Sequence, residues 1–235
     1  MIQRRAPTAQ ELDAACGLPL LEPLEPERLA AIVGASGLMH YTASTPLFSA
    51  GDPADRFFAV LSGAVRLHAN TPDGRETTIA MVESLATFAE AAMLAFGRFP
   101  VNATALAGAT LLHIPARGFL AELRSEPGLG LRMLRSLRNW ELYLLRELNE
   151  AKLLPPVRRL AGFVLSLCDD HSGPTSVRLP FRKTLLASKL GIQPETLSRN
   201  LQRLASIGVT SSGDTVTIDD PATLLQVFRG EVTEY

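Results

Sequence analysis

From about Thr42 the chain alternates brief apolar runs with turn residues. Phe57-Phe58-Ala59-Val60-Leu61 and Ala64-Val65-Arg66-Leu67 stand between turn signals at Gly51-Asp52-Pro53, Ser62-Gly63 and Pro72-Asp73-Gly74. Short strands joined by turns predict a β-roll or barrel. A period of two points Val65 and Leu67 into the roll and leaves Arg66 and His68 on its outward face. Ahead of the roll, residues 18–39 carry short helical patterns broken by Pro23 and Pro26, and residues 1–17 read as a poorly ordered tail.

After Pro127 the period becomes helical, runs to about Lys152 and stops at Pro155-Pro156. Met133, Leu137, Trp140, Leu144, Leu148 and Ala151 form one apolar stripe, and Leu131, Leu134, Leu142 and Leu145 a second. Two stripes need two partners. One can lie on the roll while the other meets its own copy in a second subunit. Met133, Leu137, Trp140, Leu144 and Leu148 are the expected dimer contacts. Packing of both stripes within one chain is the alternative.

Beyond the prolines, residues 157–168 are helical in pattern and 176–180 suit a strand. Residues 183–190 form a short helix stopped by Gly191, and Pro194 opens the next one. In that second helix Leu197, Leu201 and Leu204 fall on one side, while Glu195, Ser198, Arg199 and Gln202 crowd an arc opposite them. Helix, tight turn and helix make a helix-turn-helix, and residues 209–211 and 215–218 around Ser212-Gly213-Asp214 read as the hairpin of a wing. The fold class is therefore α+β. Residues 1–17 are the tail, 18–123 the β-roll effector domain, 124–153 the dimerisation helix and 154–235 the winged helix-turn-helix.

A net charge of −1 looks wrong for a nucleic-acid binder until it is divided along the chain. Residues 153–210 hold eight basic side chains against three acidic ones, so positive charge gathers where phosphates need neutralising. Arg199 can offer a fork of donors to guanine, Glu195 can accept from the amine of cytosine, and the short Ser198 lets the helix approach. Arg182, Lys183, Lys189 and Arg203 suit phosphates, which position without specifying. Pairing of Glu195 with Arg199 on a solvated face is the plainer alternative. Double-stranded DNA is the expected partner.

Other classes fall away. There is no Gly-x-x-x-x-Gly-Lys loop, His-Glu-x-x-His or Gly-x-Ser-x-Gly, so no catalysis is expected. No apolar run approaches a membrane span, and residues 1–15 have two arginines with no apolar stretch behind them, so a cytoplasmic location is expected. Cys16 and Cys168 cannot supply the four thiolates of an iron-sulfur cluster, and no metal site is identified.

A β-roll, a long helix and a winged helix-turn-helix, in that order, resemble the Crp/Fnr transcription regulators over nearly the whole chain. Gly51-Asp52 followed by residues 57–65 is similar to the family's roll signature, and residues 192–199 to its recognition helix. Glu195-Thr196-Leu197-Ser198-Arg199 matches the Fnr-type pattern of Glu, two spacers, Ser and Arg. The resemblance implies a cyclic-nucleotide-binding-like jelly roll, a homodimer on a TTGAT…ATCAA-like palindrome and RNA polymerase as a partner. A ligand in the roll would alter how the long helices cross or how the hinge at residues 153–156 is set.

Cyclic-AMP-binding relatives hold the phosphate with Gly-Glu and, about ten residues on, Arg-Ser. Here the places are taken by Ala89-Glu90 and Pro100-Val101, which argues against cyclic AMP bound in the usual manner. Thr87-Phe88-Ala89-Glu90-Ala91 and Ile192-Gln193-Pro194-Glu195-Thr196 are similar to the Dnr/Nnr branch, which implies nitric oxide sensed through haem. The expected effector pocket is Val65, Leu67, Phe88, Glu90, Leu137 and Trp140; an axial ligand would come from His40, His68, His113, His171 or Cys16. A regulatory module that binds a cyclic nucleotide but no DNA, and a regulator with another small effector, stay open.

Overall fold

The computed structural model describes residues 2–70, 76–170 and 173–232. The first correction lies at the amino terminus, where the expected tail is a strand and a helix. Strand β1 (Ile2–Arg5) pairs antiparallel with β2 (Leu38–Tyr41), from Ile2 opposite Tyr41 to Arg5 opposite Leu38. Helix α1 (Ala9–Cys16) opens on a capping box between Thr8 and Glu11, and it buries Leu12 and Ala15. Arg5 grips Glu11 through two bonds of 2.5 and 2.7 Å, and this partner holds the Glu11 carboxyl down to about 2. Thr8 and Glu11 were a legible helix start; only burial reveals that the helix docks.

Seven further strands complete the roll. They are β3 (Thr45–Phe48), β4 (Arg56–Ser62), β5 (Ala64–Asn70), β6 (Glu76–Glu83), β7 (Ala86–Phe88), β8 (Asn102–Ala105) and β9 (Ala109–Pro115), with β2 already placed. One sheet runs β1-β2-β9-β4-β7 and the other β3-β8-β5-β6. Strand β4 reads as an unbroken apolar run because both its faces are covered. Phe58 and Val60 face an interior with Tyr41, Val65, Phe88 and a Phe48–Phe99 stack at 3.6 Å. Phe57 and Ala59 face the other way, onto α1, α2 (Pro26–Val33), α3 (Ala116–Ser125) and the start of α4 (Pro127–Leu153). Gly63 closes the β4–β5 turn at φ +75°, and a Cβ there would lie 2.7 Å from Ala109 Cα. The turn expected at Pro72-Asp73-Gly74 lies outside the described residues.

His68 departs from its expected exposure. It keeps to the Arg66 side but is only 6% exposed, beside a bulge between Leu67 and His68. Its Nε2 lies 3.1 Å from Thr104 Oγ1, and the Arg66–Glu76 pair covers it.

Over its first half α4 reverses the expected assignment of its stripes. Met133 is buried against the protein's own roll with Leu129, and Leu137 and Trp140 pack on its two cores. Leu131, Leu134, Leu142 and Leu145 are left exposed, as are Leu144 and Leu148. The two compact units divide between Tyr143 and Leu144, inside this helix, rather than near residue 153.

In the second unit, α5 (Pro156–Ser166), α6 (Lys183–Lys189), α7 (Pro194–Ala205) and α8 (Pro221–Arg229) enclose an aliphatic core with a sheet ordered β10-β12-β11. The strand expected at 176–180 is β10 (Thr175–Arg178), and β11 (Val209–Ser212) and β12 (Thr215–Ile218) form the predicted hairpin.

Candidate nucleic-acid interface

Helix α6 ends where Gly191 takes φ +62°, and the chain re-enters a helix at Pro194 in the first turn of α7. Leu197, Leu201 and Leu204 of α7 are buried, with Asn200 among them, a polar member of the packed face that periodicity alone does not flag. Glu195, Ser198, Arg199, Gln202 and Arg203 are exposed on the other side. Arg199 Nη2 donates to Thr196 Oγ1 at 3.3 Å, and among the described residues no ion pair joins Arg199 to Glu195. Ser198 Oγ donates to the Pro194 carbonyl at 3.1 Å, a bond that a rotating hydroxyl readily exchanges. The four base-reading candidates thus share one solvent-facing ridge.

The phosphate candidates divide. Arg182 and Arg203 are exposed and Lys183 is half-buried at the start of α6. Lys189 is placed differently: its Nζ lies 3.8 Å from Glu147 Oε1 on α4, and its side chain is only 15% exposed. Arg178, exposed on β10 opposite Thr215 at the wing, is a phosphate candidate missing from the sequence assignment.

In the first unit, α4 and the β6–β7 turn bound a cleft of about 270 Å3. Leu20, Met81, Glu83, Thr87, Ser136, Asn139 and Trp140 are among its walls. Trp140 Nε1 donates to the Thr87 carbonyl at 3.2 Å. Of the expected effector pocket only Trp140 belongs to this lining. Val65 and Phe88 are fully buried in the roll core, Leu67 packs against that core, and Leu137 packs against the helical one. Glu90 lies buried behind the cleft, where it accepts bonds from Thr87 Oγ1 and, at 3.0 Å, from Ser136 Oγ. Burial raises its carboxyl pKa, with the two hydroxyl bonds opposing. A second cleft of about 310 Å3 has Leu47, Asp52, Asp55, Arg56, Phe99 and His113 among its walls.

Two families match this chain: a cyclic nucleotide-binding domain over residues 38–126 and a Crp-like helix-turn-helix domain over residues 158–227. The Cyclic AMP receptor protein of Thermus thermophilus is 30% identical over 220 residues, covering 91% of this chain and 98% of that protein. The chain belongs to the Crp/Fnr family. A solved structure from Ruegeria pomeroyi shares 30% identity at a TM-score of 0.62, covering 94% of this chain and 97% of that one. DNR from Pseudomonas aeruginosa shares 27% identity at a TM-score of 0.50, with 93% and 97% covered. This Crp/Fnr protein is therefore a DNA-binding transcription regulator and not an enzyme. No helix among the described residues is long and apolar enough to cross a membrane.

Among the described residues neither Lys nor Arg lines the α4 cleft, and Arg98 is engaged elsewhere, its Nη1 donating to the Gly51 carbonyl at 2.7 Å. A phosphate there would meet the Glu83 carboxylate of the lining without a cation.

Haem fits poorly as well. Among the described residues no histidine or cysteine lines the α4 cleft. His40 is bonded to Thr110 and His68 to Thr104. His113 lines the second cleft, but its Nε2 is 2.9 Å from Tyr41 Oη, and burial with Arg56 and Arg4 pushes its pKa down to about 3. Burial, then Asp13, raises the Cys16 thiol, which disfavours a thiolate, and His171 lies outside the described residues. The α4 cleft lies just below, and the second cleft at the floor of, the ~300 to 1,000 Å3 typical of ligand sites, whereas a macrocycle with propionates needs far more.

Proposed function

We propose that this regulator is a cytoplasmic homodimer that reads a TTGAT…ATCAA-like palindrome and acts with RNA polymerase. The observation that carries the reading is the two-sided α7, with Glu195, Ser198, Arg199 and Gln202 exposed over a leucine-packed underside. Arg199 and Glu195 supply opposite chemistry, a two-donor fork and an acceptor, which suits the guanine and cytosine of one base-pair step. The exposed leucines of α4 support self-association, which would set two reading heads one helical turn, ~34 Å, apart. A gel-shift titration tests this directly. Retention of the palindrome should exceed that of a scrambled duplex by ~10³-fold or more at fixed salt, and equal retention of both would refute the palindrome.

The proposed signal is a small molecule without negative charge held in the α4 cleft, whose walls are mostly apolar with hydroxyl and amide groups from Thr87, Ser136 and Asn139 and the Glu83 carboxylate. A second reading, nitric oxide sensed through haem, draws on the Dnr/Nnr-like motifs and the 27% identity with DNR. An absorption spectrum after haem addition separates the two. No Soret band above that of free haem is expected, and a band that shifts with nitric oxide would favour the second reading. Trp140, the single tryptophan of the chain, stands in the cleft wall, so its fluorescence should respond to such an effector and stay unchanged with cyclic AMP.

A further inference from the structure

The last turns of α4 group with the DNA-binding unit, and a cluster of charges lies there. Lys189 closes α6, and its ammonium turns to Glu147 of α4 at 3.8 Å while lying 6.0 Å above the Phe163 ring of α5. Glu150, almost one turn beyond Glu147, is half-buried; desolvation and then Glu147 raise its pKa, while Arg146, Lys189 and Arg159 pull it down. Arg159 of α5 reaches the turn between α6 and α7, where its Nη1 lies 3.7 Å from the place a Gly191 Cβ would occupy. Carboxylates from α4 and cations from α5 and α6 therefore meet where the long helix joins the reading head.

A phosphate-binding lysine needs its head in water, free to meet the duplex. Lys189 has instead buried its stem and paired its head. Such a pair, partly withdrawn from solvent and resting on an aromatic face, is screened less than a surface pair. Its contribution to folding is small; its effect on direction need not be.

We propose that Lys189 is a positioning residue, which clamps the helix-turn-helix to the carboxy-terminal part of α4 through Glu147. The link at residues 153–156 then does not swivel freely, and the recognition helix takes its direction from the long helix. A signal from the roll would enter the reading head along α4, near the Tyr143/Leu144 division, and not at the prolines. The inference rests on DNA binding and not on the palindrome proposed above.

The test is a charge exchange in the full chain: Lys189→Glu, Glu147→Lys and the two together, with Lys189→Gln as a mild variant should a reversal fail to fold. The DNA is the duplex that the wild-type protein itself selects from a random pool, so a wrong palindrome cannot be mistaken for a failed clamp. Each single reversal should weaken binding roughly fivefold or more, and the double variant, whose net charge is unchanged, should regain most of it. Lys189→Gln should keep the wild-type salt slope. Trypsin cleavage after Lys152 should quicken in the single variants and slow again in the double, since local opening sets its rate. A double variant that stays weak, with a Lys189→Gln slope shallower by ~0.9 for each protomer bound, would make Lys189 a phosphate contact. Wild-type binding and cleavage in Lys189→Gln would equally overturn the clamp.

Discussion

Arg199→Ala should flatten the preference for one base pair in each half-site while leaving affinity for unrelated duplexes nearly unchanged. Arg199 stands exposed on α7 with one weak bond to Thr196, so its guanidinium is available to a base edge with little to break. A bidentate contact to guanine is worth ~1 to 3 kcal/mol of discrimination, and both half-sites lose it together in a dimer. Binding measured against every single-base variant of the operator shows the effect as a column that loses its preference. Uniform weakening across all columns, with a shallower salt slope, would instead place Arg199 on a phosphate.

Leu134→Glu combined with Leu145→Glu should disperse the proposed dimer. Leu134 and Leu145 are 65% and 48% exposed and share an arc of about 80° with Leu131 and Leu142 at 100° per residue. A carboxylate at each would be desolvated in a paired interface and would face its own copy. Sedimentation should report a particle of half the mass, and operator affinity should fall toward the non-specific level, ~10³-fold or more, because each head then binds alone. The roll should stay folded, since neither side chain touches either of its cores. An unchanged sedimentation coefficient would remove this stripe from the interface. Leu137→Glu makes the contrast: it would strike the helical core of the protomer itself.

Much of the architecture was legible because it rests on periodicity. The recognition helix declares itself through leucines three and four apart with polar residues opposite, and all four base-reading candidates emerge on the exposed side. The roll declares itself through short runs and turns. Less legible were features set by what lies across a gap in sequence. Helix α1 carries a readable capping box, yet its docking depends on a distant helix and strand that bury Leu12 and Ala15. Helix α8, opened by Asp220 and Pro221, has a similarly plain start signal that the sequence reading passed over.

The residues by themselves determined which side chains alternate, where helices start and stop, and which face of α7 is apolar, since these follow from backbone geometry within a few residues. Tertiary structure alone decided which stripe of α4 lies on the roll, that Lys189 turns to Glu147, that His68 is covered and that Glu90 is sealed behind the cleft. A local pattern states how many faces an element must cover. It does not name the partner for each face, because that choice compares packing against segments far away in the chain.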